Sequence, residues 1–182
     1  MARLAPLNPE DLTPGQRAVA DAIISGPRGG LRGPFETWLR APGLAGPAQK
    51  LGEYCRFGTS LPRDLSEFAI LLTARHWKAQ FEFWAHARLA REAGLPDDII
   101  EAIRGGTQPA FRNEAQRAVH ALVTEYFATN RAGQATYDHA LAALGERGLV
   151  ELVGIVGYYC LVSMTLNVFE VGLPPGEPDP LP

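Results

Sequence analysis

The stretch from Asp64 to Ala93 contains neither glycine nor proline, although the whole chain carries 19 glycines and 15 prolines among 182 residues. Because these two residues most often end helices, the stretch has room for long ones. Its apolar side chains recur at helical spacing, first from Leu65 to Leu72 and again from Phe81 to Leu89. The bulky polar segment 75–78 separates the two runs. The pattern therefore predicts two helices that meet near residue 78.

Helix signals also stand on both sides of this stretch, whereas strand signals are nearly absent. Thr13 and Gln16 flank Pro14 in the pattern of a capping box with proline at the first helical position, which predicts a helix to about Ser25. No segment alternates apolar and polar side chains with enrichment in β-branched residues. We therefore predict an all-α fold, a single-domain helical bundle that spans residues 1–182.

The remaining elements are predicted from periodicity and from residues that start or stop helices. Gly94 followed by Pro96 ends the second helix of the central stretch, and Asn113 caps a later helix. The predicted segments are residues 34–40, 47–59, 97–104, 114–129, 136–144 and 146–168, the last being the most apolar. The tail, residues 172–182, contains five prolines and is predicted to be extended, either across a neighbouring subunit or as a partly disordered terminus.

Composition and charge exclude several classes of protein. Apolar residues make up 46% of the chain, which is too many for a disordered protein, and a net charge of −3 with dispersed basic residues disfavours nucleic-acid binding. Cys55 and Cys160 form no CxxC pair, which excludes thioredoxin-like redox chemistry and a four-cysteine zinc site. Two distant cysteines indicate a reducing compartment, although one disulfide between them remains an alternative.

The sequence also bears on localisation. Residues 1–6 lack the apolar region of a signal peptide. The longest apolar stretch, Leu149 to Phe169, is interrupted by glycines and polar residues, so it falls short of the roughly 18 apolar residues expected of a membrane span. We expect a soluble, cytoplasmic protein that binds no membrane.

Residues 26–34, Gly-Pro-Arg-Gly-Gly-Leu-Arg-Gly-Pro, are too rich in glycine to be helical. The segment is similar to a phosphate-binding loop in composition only, because it lacks the GxxxxGK[ST] pattern and follows no strand. We predict an irregular connection.

One segment carries a residue pattern that extends over several helices. The pattern consists of Glu67, Arg75-His76-Trp77, Gln80-Phe81-Glu82-Phe83-Trp84-Ala85-His86, Ala93-Gly94-Leu95 and Ile99-Ile100-Glu101-Ala102-Ile103. It resembles the carboxymuconolactone decarboxylase family, which shares an all-helical fold with the alkylhydroperoxidase D-like proteins. The likeness covers most of the chain after Gly33 and is strongest over residues 60–104. The last helix, with Gly157-Tyr158-Tyr159 and Asn167-Val168-Phe169-Glu170, resembles the longer branch of that family.

The chain departs from the peroxidase branch of this fold at two positions. Glu67 and His86 match that branch's glutamate and final histidine, but Ala79 and Glu82 stand where it has the two cysteines of a CxxC. A thiol peroxidase needs one thiolate to attack peroxide and a second thiol to resolve the product, so hydroperoxidase activity is disfavoured. The decarboxylase branch instead has a glutamate four residues before its histidine, as Glu82 and His86 are placed here.

These three residues are the predicted catalytic residues. Glu82 and His86 are four positions apart, so their side chains can touch on one helix face, and a carboxylate beside an imidazole raises the pKa of that imidazole. We expect His86 to donate the proton, Glu82 to orient it and Glu67 to be a second acid or base. The alternatives are an exposed helix pair for Glu82 and His86, and a solvated carboxylate or a partner of Arg63 or Arg75 for Glu67.

Four further residues are predicted to bind substrate. Arg75 has the planar fork that holds a carboxylate, and His76 is a weaker candidate because a histidine at a helix end often interacts with the last carbonyls. Trp84 is a candidate for lining the pocket, with a role in the core or at a subunit contact as the alternative. Tyr158 is a further candidate, because a tyrosine on a buried helix needs a hydrogen-bond partner.

The leading hypothesis is a cofactor-free lyase that removes carbon dioxide from, or moves a proton on, a small anionic organic molecule. The resemblance implies the decarboxylation and also a homo-oligomer. A non-catalytic oligomeric binding protein is the alternative from another class. Glu82, His86 and His76 could supply three metal ligands, but the sequence has no HExxH or HxxxH pair, so we predict no metal.

Overall fold

The computed structural model describes residues 2–182, and in that range every regular element is a helix. A short 3-10 turn, Pro9–Asp11, precedes eight α-helices. Their bounds are α1 Pro14–Ser25, α2 Phe35–Trp38, α3 Pro42–Phe57, α4 Arg63–His76, α5 Gln80–Glu92, α6 Asp97–Gly105, α7 Glu114–Thr129 and α8 Gln134–Val168. The predicted all-α fold is confirmed.

Helix α4 lies at the centre of the bundle. It packs against α5, α6, α7 and α8, and its residues from Leu65 to Ala74 are all buried. A helix that is buried on every side needs apolar or hydrogen-bonded side chains all round. Glu67 is therefore an exceptional residue in this helix, because a charged side chain is seldom fully buried unless it is paired.

The break between α4 and α5 falls where the sequence predicts it. Trp77 caps α4, and Lys78 takes a left-handed conformation with φ of 50°, which reverses the chain before α5 begins at Gln80. Other predicted boundaries hold as well. The Thr13–Gln16 capping box is present, and the Asn113 side chain accepts a hydrogen bond from the amide of Gln116.

Two features differ from the sequence prediction. Helix α3 begins at Pro42 rather than near Pro47, so Pro47 lies inside the helix. Pro42 already occupies the first turn, where a missing N–H costs nothing, and Pro47 removes one hydrogen bond in the next turn. The tail folds back on its own chain, because the backbone of Leu181 makes two hydrogen bonds with the Gln80 side chain and Leu181 is buried.

The last two predicted helices form one element, α8, with an interruption at Gly145 (φ 69°, ψ 170°). This is the one helix within residues 2–182 that is long and apolar enough to cross a membrane, and 61% of its most apolar window is buried inside the protein. Core helices of soluble proteins are equally apolar. Its buried face carries Tyr158 and Tyr159 into the bundle.

Both cysteines are free thiols. Burial raises the pKa of Cys55 to about 11, and the Cys160 sulfur accepts a hydrogen bond of 3.2 Å from the Trp77 indole. The disulfide that the sequence left as an alternative is absent from the described part of the chain.

Candidate active site

His86 lies between two glutamates that come from two different helices. Its Nδ1 is 2.6 Å from Oε2 of Glu67 on α4, and its Nε2 is 2.9 Å from Oε1 of Glu82 on α5. All three residues are between 2% and 5% exposed. The three side chains that the sequence singled out therefore converge in the interior, and we call them the Glu67–His86–Glu82 unit.

The local sequence explains this convergence. Glu82 and His86 are one turn apart on α5, so their contact follows from helix geometry. The Glu67 contact depends on the turn at Lys78, which folds α5 back along α4. Ala79, the residue at the first peroxidase cysteine position, caps α5 and is fully buried.

The electrostatics of the unit favour a charged imidazole. Burial by itself lowers the pKa of His86, but the charges of Glu67 and Glu82 and their hydrogen bonds outweigh it and raise the pKa to about 9. At neutral pH His86 is thus an imidazolium that is hydrogen-bonded to Glu67 through Nδ1 and ion-paired with Glu82 through Nε2. It holds a proton that it can share with either carboxylate.

Tyr159 encloses the unit on one side. Its ring meets the His86 ring edge-on, with centroids 4.9 Å apart, and the residue is buried. Burial and the nearby charges of Glu82 and Glu67 hold the pKa of its hydroxyl well above the ordinary value, so this neighbour stays neutral. The unit is therefore shielded from bulk water, where its interactions would be weaker.

Glu82 and His86 line a cavity of about 180 Å³. This volume is below the roughly 300–1,000 Å³ of pockets for drug-sized ligands, so it suits a small organic molecule. Glu67 is not among the lining residues, because it sits behind His86 on α4. Glu82 and His86 thus face the cavity, whereas Glu67 is separated from it by His86.

Four arginines also line the cavity and give it a positive rim. They are Arg28, Arg32, Arg56 and Arg88. Arg28 and Arg32 come from the glycine-rich segment 26–34, which folds over the cavity next to Phe81 and Trp84. Gly33 has a φ of 65° there, which a residue with a side chain rarely adopts. A Cβ on it would also lie only 3.1 Å from the Phe81 ring, so both the backbone conformation and the available space favour glycine.

The predicted substrate-binding residues divide into two pairs. Trp84 and Tyr158 line the cavity. Arg75 and His76 do not: the Arg75 side chain lies beside Gly106, and the His76 ring stacks on Phe127 with centroids 3.9 Å apart. Arg75 is two turns beyond Glu67, about 12 Å further along α4, which places it near the other end of the helix.

Sequence reasoning missed the arginines of the cavity. The glycine-rich segment 26–34 is the sequence feature that points to Arg28 and Arg32. Its glycines permit a close approach to α5, and the two arginines lie among these glycines. Arg56 gave no signal, because it lies at the end of α3 and reaches the cavity only through tertiary packing.

Among residues 2–182, no group of three histidine, cysteine, aspartate or glutamate side chains is placed to hold a metal ion. His76, which would have completed a set with Glu82 and His86, lies against Phe127 instead.

Comparison of the chain with models of known protein families, and with curated proteins, finds no match. The resemblance to the carboxymuconolactone decarboxylase family thus stays a prediction, and the function rests on the geometry of the site.

Proposed function

We propose that this chain is a cofactor-free acid/base enzyme, a carbon–carbon lyase of the decarboxylase type, that acts on a small anionic molecule in the cavity beside His86. One observation carries the proposal: a buried imidazole pairs with a carboxylate at each ring nitrogen and lies on the wall of an arginine-rimmed cavity. Perturbed titratable groups in a cleft are typical of acid/base catalysis.

The roles follow from the order of the contacts. The proton on His86 Nε2 is shared with Glu82, and both side chains line the cavity, so this pair delivers or accepts the proton. Glu67 bonds to Nδ1 from behind and fixes the ring and its charge. It is a positioning residue, in the way that a buried aspartate orients the histidine of a catalytic triad.

The resembled reaction is the loss of carbon dioxide from an unsaturated lactone carboxylate. The bond between the ring carbon and the carboxylate carbon breaks, its electron pair moves into the conjugated carbonyl, and carbon dioxide leaves. The His86–Glu82 pair then gives one proton to the distal carbon and regains one from water. One carboxylate and one proton become one C–H bond and one carbon dioxide, so the reaction needs no organic cofactor.

The test uses the purified full chain and a panel of unsaturated γ-lactone carboxylates in D₂O. We expect release of carbon dioxide, and product that carries one deuterium at the protonated carbon. His86→Gln should slow turnover at least about 100-fold. The proposal fails if no member of the panel releases carbon dioxide or exchanges a proton, or if His86→Gln retains the wild-type rate.

Glu67 needs a test that separates positioning from simple structure. Because its charge helps to raise the pKa of His86, Glu67→Gln should move the alkaline limb of the pH–rate profile to lower pH. A loss of rate with no shift of the profile would contradict the positioning role.

Hydroperoxidase activity is the disfavoured alternative. Ala79 and Glu82 replace the two thiols, and burial keeps the thiols of Cys55 and Cys160 protonated by raising the pKa of each. Peroxide consumption that survives alkylation of both cysteines would revive a non-thiol version of it. A non-catalytic binding protein would show ligand binding and no turnover in the same assays.

We also propose that the chain forms a homo-oligomer in the cytoplasm. Support comes from the outer face of α8, where Val150 and Val153 are 71% and 62% exposed beside an apolar groove of about 790 Å³ between α7 and α8. Exposed apolar patches of this kind mark association surfaces. Light scattering should show more than one copy, and Val153→Glu should shift the protein towards monomer. A wild-type monomer at micromolar concentration would contradict the proposal.

A further inference from the structure

The hydroxyl of Tyr159 is a polar group that the bundle encloses without giving it a partner. Tyr159 is 2% exposed, yet its hydroxyl makes no hydrogen bond with any of residues 2–182. Buried tyrosine hydroxyls usually find a hydrogen-bond partner. Tyr159 also lines the cavity that Glu82 and His86 line. An unpaired donor therefore lies on a residue beside the proposed catalytic pair.

The Tyr159 hydroxyl differs in accessibility from that of its neighbour Tyr158. The Tyr158 hydroxyl is unpaired and has no accessible surface, because it lies against the backbone of Gly52. The Tyr159 hydroxyl is not among the unpaired side-chain atoms of residues 2–182 that lack accessible surface, so it keeps some. Since Tyr159 is almost wholly buried and lines the cavity, a molecule in the cavity can reach this hydroxyl.

We propose that Tyr159 is a further catalytic residue, which donates a hydrogen bond to the carbonyl oxygen of the substrate. In the proposed reaction the bond to the leaving carboxylate breaks, and its electron pair moves onto that oxygen, which becomes an enolate. A donor aimed at such an oxygen stabilises the transition state more than the ground state. The phenol keeps its own proton, so the balance of the reaction is unchanged. This inference rests on the proposed function, because it assigns a role within the same reaction.

The position of Tyr159 suits this role. Its ring meets the His86 ring edge-on with centroids 4.9 Å apart, so the proton donor and the hydroxyl can act on one molecule in a cavity of about 180 Å³. The Tyr158 ring also meets it edge-on, at 5.2 Å. These two ring contacts fix the hydroxyl before a substrate arrives, as electrostatic stabilisation of a transition state requires.

The charge state of Tyr159 agrees with a donor role. Burial and the charges of Glu82 and Glu67 hold the pKa of its hydroxyl well above the ordinary value, so it carries its proton at neutral pH. The Arg56 guanidinium opposes this rise. Arg56 also lines the cavity, and its charge favours negative charge on a nearby oxygen.

Tyr159→Phe removes the hydroxyl and keeps the ring. On the lactone carboxylate that the wild type turns over, we expect kcat to fall about 100-fold, with KM changed less than about threefold. The alkaline limb of the pH–rate profile should stay in place, because the ring still contacts His86. A merely structural role would instead move that limb together with the rate.

A binding measurement with para-nitrophenol needs no substrate. Its anion carries a negative oxygen on a small ring, as an enolate does, and its absorbance reports its ionisation. We expect the wild type to bind this anion at least about tenfold more tightly than Tyr159→Phe does. Tyr54→Phe is the control, because the Tyr54 hydroxyl bonds to Glu151 and the residue does not line the cavity. It should match the wild type in kcat and in affinity for the anion.

The proposal is overturned if Tyr159→Phe keeps the wild-type kcat or affinity for the anion, or if it moves the alkaline limb. It is also overturned if Tyr158→Phe, which removes an inaccessible hydroxyl, lowers kcat as much. The two claims can fail separately. If no lactone carboxylate is turned over, the proposed function fails, and the affinity for the para-nitrophenol anion alone decides whether Tyr159 binds a negative oxygen.

Discussion

The buried glutamates Glu151, Glu67 and Glu82 lie in two clusters, which differ in the partners that pair with the carboxylates. Glu151 on α8 accepts hydrogen bonds from the Tyr54 hydroxyl at 2.6 Å, from the amide and hydroxyl of Ser60 at 2.7 and 2.6 Å, and from Arg147 at 2.9 Å. Glu67 and Glu82 are equally buried, but their shared partner is a histidine.

The partners decide what each cluster can do. The donors around Glu151 are two hydroxyls, a backbone amide and a guanidinium, so the cluster holds a fixed charge. Burial alone would raise the pKa of Glu151, but the bonds from Ser60, Tyr54 and Arg147 lower it to about 2. In the Glu67–His86–Glu82 unit the donor itself titrates, so the cluster holds a proton that can move. A buried carboxylate therefore suggests chemistry only when its partner can change charge and a cavity adjoins it.

The largest expected contrast is in turnover. Glu82→Gln removes the carboxylate that shares the His86 proton at the cavity wall, and should slow carbon dioxide release at least about 100-fold. Glu151→Gln removes an equally buried carboxylate that touches no part of the cavity, and should change the rate less than twofold. Steady-state rates of the two variants at one pH test this. Equal losses would mean that the two clusters do not differ in function.

The next contrast is the pH dependence of stability. The folded pKa of His86, about 9, lies above its ordinary value of 6.5, so its contribution is fully present below pH 6.5 and is lost as the pH rises through 9. The shift corresponds to something on the order of 3 kcal/mol. Urea unfolding at pH 6 and pH 10 should show this loss in the wild type.

His86→Gln is the control for that measurement. All other titratable residues are the same in both proteins, so the difference between the two alkaline losses isolates His86. An alkaline loss of the same size in His86→Gln would show that another group is responsible.

Sequence reasoning predicts those parts of the fold and site that depend on near neighbours. The capping box at Thr13, the break near residue 78 and the Glu82–His86 contact all arise within one or two helical turns. Helix geometry fixes such contacts whatever the rest of the chain does.

The other contacts of the site depend on tertiary packing, which a local sequence pattern does not predict. Glu67 meets His86 only because α5 folds back along α4, and from sequence alone Glu67 could equally have been solvated or paired with Arg75. For the same reason the sequence predicts a substrate contact for Arg75, which lies outside the cavity, and none for Arg28, which lines it.

Replacement of Glu151 should reveal a structural role instead of a catalytic one. Glu151→Gln loses the charge that four donors satisfy, at an expected cost of about 1–3 kcal/mol in the free energy of unfolding at neutral pH. Since the folded pKa is lowered from 4.5 to about 2, the contribution is present above pH 4.5 and is lost as the pH falls towards 2. The difference in the free energy of unfolding between Glu151→Gln and the wild type should therefore become smaller in acid. A difference that does not change with pH would contradict the stabilising role of the Glu151 charge.

The smallest expected effect belongs to a single donor of the same cluster. Tyr54 shares Oε1 of Glu151 with Arg147, whereas Ser60 occupies Oε2 with two bonds, so Tyr54→Phe leaves both oxygens paired. Tyr54 is also 46% exposed, which lets water replace its hydroxyl. We expect a loss of about 1 kcal/mol or less in urea unfolding, with the acid dependence retained. A loss as large as that of Glu151→Gln would mean that the tyrosine hydroxyl, and not the shared charge, holds α3 to α8.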